Sequence, residues 1–269
     1  MSEGVVDKTA VQNAALNNET IEKYGLTFYG LKMRQYEEWA EYKNVWLSRQ
    51  STLPVFCVSY PFLQAIFLLD MKAIEETGKP AGLLYRIMYC LGMALGFDEN
   101  CVREQRIYIV PEEDEQSLKA IAVKVDSETT VEITPAKFNK IRKIVAWMQG
   151  DELPDETLND DLLDTERLLR ERDMPRLDYS LIDMKASVAY ACGIRIKDIQ
   201  EWTILEFETM RRAIDRGKRF FICGIGETNG CKWGEGNPYP SWCFDKEEKG
   251  TIALIAQDQF GKAKTHKKE

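Results

Sequence analysis

Histidine is almost missing from this chain. Among 269 residues only His266 is one, in a lysine-rich tail that offers nothing to orient an imidazole. That removes most catalysis built on a histidine base or proton shuttle, because such a ring has to be held by a partner. Long apolar runs are missing too. No window approaches eighteen uninterrupted apolar residues, so no membrane-spanning helix is expected. The first twenty residues have neither a basic n-region nor an apolar h-region; no secretory signal is expected, and a cytoplasmic location is. No CxxC pair occurs. The seven cysteines, at 57, 90, 101, 192, 223, 231 and 243, are odd in number and scattered, which suits reduced, buried small hydrophobes better than a disulfide framework.

What is present is globular. Apolar residues make up 44% and aromatics 10%, enough to exclude a wholly disordered chain. The net charge of −8 is local: between Asp151 and Asp183 twelve acids face four arginines, which is the whole imbalance. The remainder is neutral, and that disfavours a broad nucleic-acid surface.

Residues 1–19 are polar and aperiodic and read as a flexible N-terminal tail. From Leu31 to Leu47, Tyr36, Trp39, Tyr42, Lys43 and Trp46 recur at helical spacing, so an amphipathic helix with an aromatic stripe is expected. That stripe is either core or a face that docks a partner, with Tyr36, Trp39 and Trp46 as the partner-binding candidates. Pro61 suits a first helical turn, and Gly78 with Pro80 ends that helix; Pro80 opens a second apolar helix to Gly96. A short link between two such helices predicts an antiparallel hairpin. At Arg106 the period changes to two. The runs RIYIV, LKAIAVKV and TTVEI read as strands, and Thr134-Pro135 then caps a helix that stops at Gly150. The acidic segment 151–177, bracketed by Pro154 and Pro175, reads as a helical linker.

The stretch after it is dense in local signals. Ser180 with Asp183 caps a helix that Gly193 ends, and Thr203 with Glu206 forms a capping box for another, expected to stop at Gly217. Two helices joined through a glycine invite a helix-turn-helix reading, with Arg195 and Lys197 as the nucleic-acid candidates. Asp198, Glu201, Glu206 and Glu208 crowd those cations and weaken it. Beyond Gly217, RFFIC reads as a strand and Asn229-Gly230 as a type I′ hairpin turn. Glu227 would pair with Lys232 and Gly226 with Trp233, and Ser241-Trp-Cys-Phe244 would return as a third strand. Cys223, Cys231 and Cys243 would then lie on neighbouring strands, which raises zinc, although their spacing contains no knuckle. Gly224-Ile-Gly226 follows an apolar run, but a dinucleotide fingerprint needs a helix next.

The expected architecture is α+β and predominantly helical. An N-terminal α+β domain (20–150) holds the helical hairpin and a small antiparallel sheet. After the linker, a module over 178–257 holds the helical pair and a β-hairpin or three-stranded meander, and 258–269 is a basic flexible tail. No group of residues assembles a nucleophile, a base and an orienting partner, so an enzymatic role and a cofactor are not expected.

Three stretches, TLPVFCVSYPFLQAI (52–66), DIQEWTILEF (198–207) and GNPYPSWCFD (236–245), resemble accessory proteins encoded among the tail genes of tailed bacteriophages and prophages. The resemblance implies a non-enzymatic tail assembly or structural protein, working by contact with other protein subunits in the bacterial host cytoplasm or in the virion. It carries over no catalytic residue. Trp233 and Trp242 join the aromatic candidates for partner binding, since indoles are enriched at interfaces. The alternatives that remain are a helix-turn-helix nucleic-acid-binding protein over 180–216 and a small zinc module on Cys223, Cys231 and Cys243.

Overall fold

The computed structural model describes residues 6–113, 117–156, 165, 180–232, 237, 239, 241 and 242. It is α+β and predominantly helical, as expected. The chain divides into two compact units: Met1–Glu156 with Arg195–Glu208, and Thr157–Ile194 with Thr209–Glu269.

In the first unit the chain opens with α1 (Lys8–Leu16), capped by the Asp7 carboxylate, which accepts from the Thr9 and Ala10 amides. Val11, Ala14 and Ala15 are buried, and α1 packs on α5. The flexible tail expected over 1–19 is therefore corrected for its described part, 6–19. Its stripe of one valine and two alanines is too small to stand out in a polar sequence, yet it lets two helices approach closely. A two-residue turn at Tyr24-Gly25, both with positive φ, joins β1 (Ile21–Lys23) to β2 (Leu26–Phe28).

Helix α2 (Tyr36–Trp46) packs on α4, and α3 (Phe62–Thr77) packs on both α4 (Leu83–Ala94) and α5 (Pro135–Met148). The predicted α3–α4 hairpin is present. Gly78 ends α3 in the left-handed conformation, as its position suggested, but the cap of α4 comes from far away. Asp70, buried on α3, accepts from the amides of Leu83 (3.1 Å) and Leu84 (2.8 Å). A carboxylate at a helix N-terminus satisfies orphan donors and sits well in the dipole. Strands β3 (Ile107–Pro111), β4 (Leu118–Lys124) and β5 (Thr130–Ile133) form an antiparallel sheet in sequence order. Thr134 caps α5 with Pro135 at its first position, as the sequence indicated.

The core centres on aromatic rings from three helices. Trp46 meets Phe138 edge-on with centroids 5.3 Å apart, Phe138 stacks on Phe62 at 6.4 Å, and Trp39 lies 6.4 Å from Trp46. Burying each ring contributes about 2–3 kcal/mol by area. Arg142 lies among them, 5% exposed, its guanidinium 3.6 Å from the Phe62 ring centroid. Its Nε donates to the Trp46 carbonyl at 2.5 Å and its Nη2 to the Ser48 carbonyl, while the Trp46 indole N–H donates back to the Arg142 carbonyl at 3.2 Å. Burial pulls that guanidinium down to about 10. The hydrogen bonds and the ring face offset part of the cost of enclosing a cation.

The last piece of the first unit arrives from far along the chain. Lys32 and Thr203 form an antiparallel bridge, the Ile204 amide donates to the Leu31 carbonyl at 2.8 Å, and the Met33 amide donates to the Trp202 carbonyl at 2.9 Å. Ile199, Thr203, Ile204, Leu205 and Phe207 are buried. A self-contained module over 178–257 is thus corrected: 195–208 belong with the N-terminal residues.

In the second unit, α6 (Leu181–Cys192) begins at the predicted Ser180–Asp183 capping box and ends at left-handed Gly193. Helix α7 (Ile204–Thr228) starts in the first unit and continues into the second. The linker helix expected within 151–177 falls mostly outside the described residues, as does the 258–269 tail.

Candidate interaction surface

Helix α7 overturns the predicted hairpin. The capping box that starts it is as expected: the Glu206 amide donates to the Thr203 hydroxyl at 3.1 Å, and the Thr203 amide to the Glu206 carboxylate at 3.3 Å. The helix then runs on past Gly217, through RFFIC and both later glycines, to Thr228. Asn229-Gly230 terminates it rather than turning a strand. Gly230 has φ +85°, its amide donates to the Glu227 carbonyl, and the Cys231 amide reaches back to the Gly226 carbonyl at 2.9 Å. Those two bonds make a Schellman stop. Asn-Gly suits either outcome because both need a residue of positive φ. A helix already nucleated by a capping box gains a hydrogen bond per added residue, and that outweighs the strand preference of Phe and Ile.

The distal half of α7 carries a dressed face and a bare one. On the dressed face Arg219 is bonded to Asp215 at 2.8 Å and lies over the Tyr239 ring, 5.4 Å from its centroid, with a 2.5 Å bond to the Tyr239 hydroxyl. These contacts raise the Arg219 pKa, the Tyr239 hydroxyl first and Asp215 second. Arg216 donates through Nε to the Trp242 carbonyl at 3.0 Å. The Asn237 side chain accepts from the Tyr239 amide at 2.8 Å, setting the turn that presents the ring. On the bare face Phe221 is 68% exposed, Ile222 67% and Ile225 49%. Trp242 is 65% exposed although its carbonyl is held.

The aromatic candidates fall into different roles. Trp39 and Trp46 are corrected from partner-binding residues to core. They are 1% and 0% exposed, and the Trp39 indole donates to Asp151 at 3.0 Å, where Lys43 also bonds at 3.1 Å. Their cover comes from α5 and from Asp151, about a hundred positions away. Tyr36 is half-buried at the start of α2. Trp242 is exposed, and Trp233 lies outside the described residues. A cluster not singled out from sequence replaces the tryptophans at the surface. Tyr89 stands edge-on to Tyr42 at 5.3 Å and stacks on Tyr85 at 6.1 Å, its hydroxyl donating to Glu38 at 3.0 Å. Tyr85 is 46% exposed, and Arg86 lies over Tyr42. The signal was the tyrosine pair at 85 and 89, four apart on a helix.

The cysteine cluster loses its premise with the hairpin. Cys223 is buried inside α7, Cys231 is exposed just past its stop, and Cys243 lies outside the described residues. Among the described residues no group of three or more metal-ligating side chains comes together. Between α6 and α7 the chain forms a 3-10 helix, Ile196–Glu201. There Arg195 is tied to Asp198 by two bonds, of 3.0 and 2.9 Å, which lower the Asp198 carboxyl; Lys197 is exposed beside it. A phosphate would have to displace that carboxylate from the guanidinium.

No protein family, curated protein or solved structure matches this chain.

Proposed function

We propose that this protein works by protein–protein contact, as a non-enzymatic assembly or structural component of a phage-type tail. The observation that carries the contact role is the bare end of α7, where Phe221, Ile222 and Ile225 face solvent within two turns. Such a cluster on an otherwise charged helix is characteristic of a surface awaiting a partner. Covering one of these side chains is worth about 2–3 kcal/mol, so two of them supply a useful part of an affinity. The tail setting rests on the resemblance of residues 52–66, 198–207 and 236–245. The last stretch holds Tyr239 and Trp242, which dress the same helix.

The test is co-expression with the structural proteins of a tail gene cluster, followed by affinity purification and size exclusion. The full chain should co-elute in fixed proportion with at least one tail component, and Phe221→Asp with Ile222→Asp should abolish that. A chain that elutes alone in the presence of every tail component overturns the proposal.

A further inference from the structure

Between α2 and α3 the first unit carries an apolar loop folded on a single turn. The Cys57 and Val58 amides donate to the Pro54 carbonyl at 3.0 and 3.1 Å, the Cys57 thiol donates to the same oxygen at 3.3 Å, and the Tyr60 amide donates to the Cys57 carbonyl at 3.1 Å. Cys57 is buried beneath the turn. Its tip is Val55, 90% exposed, with Phe56 and Tyr60 exposed beside it. One turn closed by so few bonds is marginal in water, and an apolar tip gains nothing from staying in solvent. The shape has to be held from behind.

Gln50 holds it. Its Nε2 donates to the Val58 carbonyl at 2.9 Å and to the Tyr60 carbonyl, so one side-chain amide closes the loop at its far end. Gln50 is itself fixed through its backbone. The Glu156 carboxylate accepts from the Gln50 amide at 2.9 Å and from the Ser51 amide at 3.3 Å, one with each oxygen. On the same stretch the Arg142 Nη2 donates to the Ser48 carbonyl, and the Glu156 charge favours that cation. A cation thus holds a carbonyl, and an anion the amides, of one short segment. Bonds to an ionised acceptor are roughly twice as strong as neutral ones, although water reaches this carboxylate and reduces the advantage. The other acids at the start of the same segment hold different elements. Asp151 holds the Trp39 indole and Lys43, and Glu152 holds Lys8 of α1.

We infer that Glu156 is a latch that sets the shape in which Val55, Phe56 and Tyr60 are presented. The relay runs from its carboxylate to the Gln50 backbone, from the Gln50 side chain to the Val58 and Tyr60 carbonyls, and from there to the tip. Glu156 is also the last residue before the chain leaves the first unit. The start of the acidic segment and an exposed apolar surface are therefore coupled: drawing the carboxylate away loosens the loop and uncovers Cys57. This device lies within the first unit and is independent of α7 and of the tail role.

The test is thiol labelling of the full-length chain, read residue by residue by mass spectrometry. Cys57 reports the loop and Cys90 and Cys101 the rest of the unit; all three are buried. Glu156→Ala should speed the labelling of Cys57 by about fivefold or more and leave Cys90 and Cys101 unchanged. Gln50→Ala should do the same. The double variant should be no faster than the faster single one, because both cut one relay. Glu152→Ala, which releases Lys8 instead, should leave Cys57 unchanged. An unchanged Cys57 in Glu156→Ala, equal acceleration of all three thiols, effects that multiply in the double variant, or an equal response to Glu152→Ala would each overturn the inference.

Discussion

The Thr203 hydroxyl donates to the Ala15 carbonyl across 3.2 Å, in a buried contact between residues 188 positions apart. The same oxygen accepts from the Glu206 amide, so one side chain starts α7 and closes α1 onto the start of it. Gly30 lies alongside, where an added Cβ would come within 3.1 Å of the Thr203 methyl. Thr203 is therefore held by its hydroxyl and by its methyl.

Thr203→Val should separate the two. It keeps the shape but loses the cap and the bond to Ala15, and the cost should be about 1–2 kcal/mol. Thr203→Ser should cost less than half of that. Urea denaturation followed by tryptophan fluorescence reports it, since Trp39 and Trp46 lie in the same unit. Equal losses in the two variants would mean that packing, not the hydroxyl, makes the contact.

Gly92, inside α4, is fixed by close approach. A Cβ there would stand 2.4 Å from the Cys101 sulfur and 3.3 Å from Ile107. Gly92→Ala should destabilise by about 1–3 kcal/mol by overpacking, although alanine is the better helix former. Adding Cys101→Ala removes the sulfur and should recover most of the loss. The double-mutant cycle measured in urea checks this, and additive losses would contradict it.

How much of this was readable depends on whether a feature is local. Thr134-Pro135, Gly78, Ser180 with Asp183, Gly193 and Thr203 with Glu206 act within three or four residues, and each sits where its own chemistry put it. The strands between Ile107 and Ile133 showed through their alternation. The cover of a face is not local. Periodicity places Trp39 and Trp46 on one side of α2, but Phe138 and Asp151 decide that this side is interior. Nothing near Leu83 indicates that Asp70 caps α4. At the candidate surface the sequence names Trp242 as a partner-binding candidate, and the structure shows its indole exposed. Phe221 and Ile222 read as strand in the sequence yet lie in α7, because β-preferring residues before Asn-Gly satisfy two grammars equally well.

The thiols supply a chemical check on burial. Burial alone pushes Cys90 up to about 12, and it is the main cause raising Cys57 and Cys101 as well. In the unfolded chain a thiol ionises near about 8.5, so above that pH the unfolded state binds fewer protons than the folded one. Stability from these thiols is complete below about 8.5 and falls as pH rises toward the folded values. Urea midpoints measured from pH 8 to 10 should decline, and less steeply in Cys90→Ala. In native protein carrying Cys243→Ser, a thiol reagent at pH 8 should modify exposed Cys231 first and leave Cys57, Cys90, Cys101 and Cys223 until denaturant is added. Rapid labelling of Cys223 would contradict its place in α7.

The length of α7 is open to a test by three glycines. At Gly217 and Gly224 an added Cβ meets nothing within 4 Å, and neither has a positive φ. In a helix interior, replacing such a glycine by alanine gains about 0.5–1 kcal/mol. Gly230 also has open space around it, but its φ is +85°, where a Cβ is strained however much room it has. Gly217→Ala and Gly224→Ala should each raise the helical signal in far-ultraviolet circular dichroism and the stability of the second unit, while Gly230→Ala should lower stability by about 1 kcal/mol. A hairpin would give a different pattern. Alanine at 224 would then sit in a strand, where it packs poorly and adds no helix, and the loss at 230 would come from a broken type I′ turn. Gly230→Ala lowers stability in either case, so Gly224→Ala decides the matter: a helical gain places Phe221, Ile222 and Ile225 on one continuous helix.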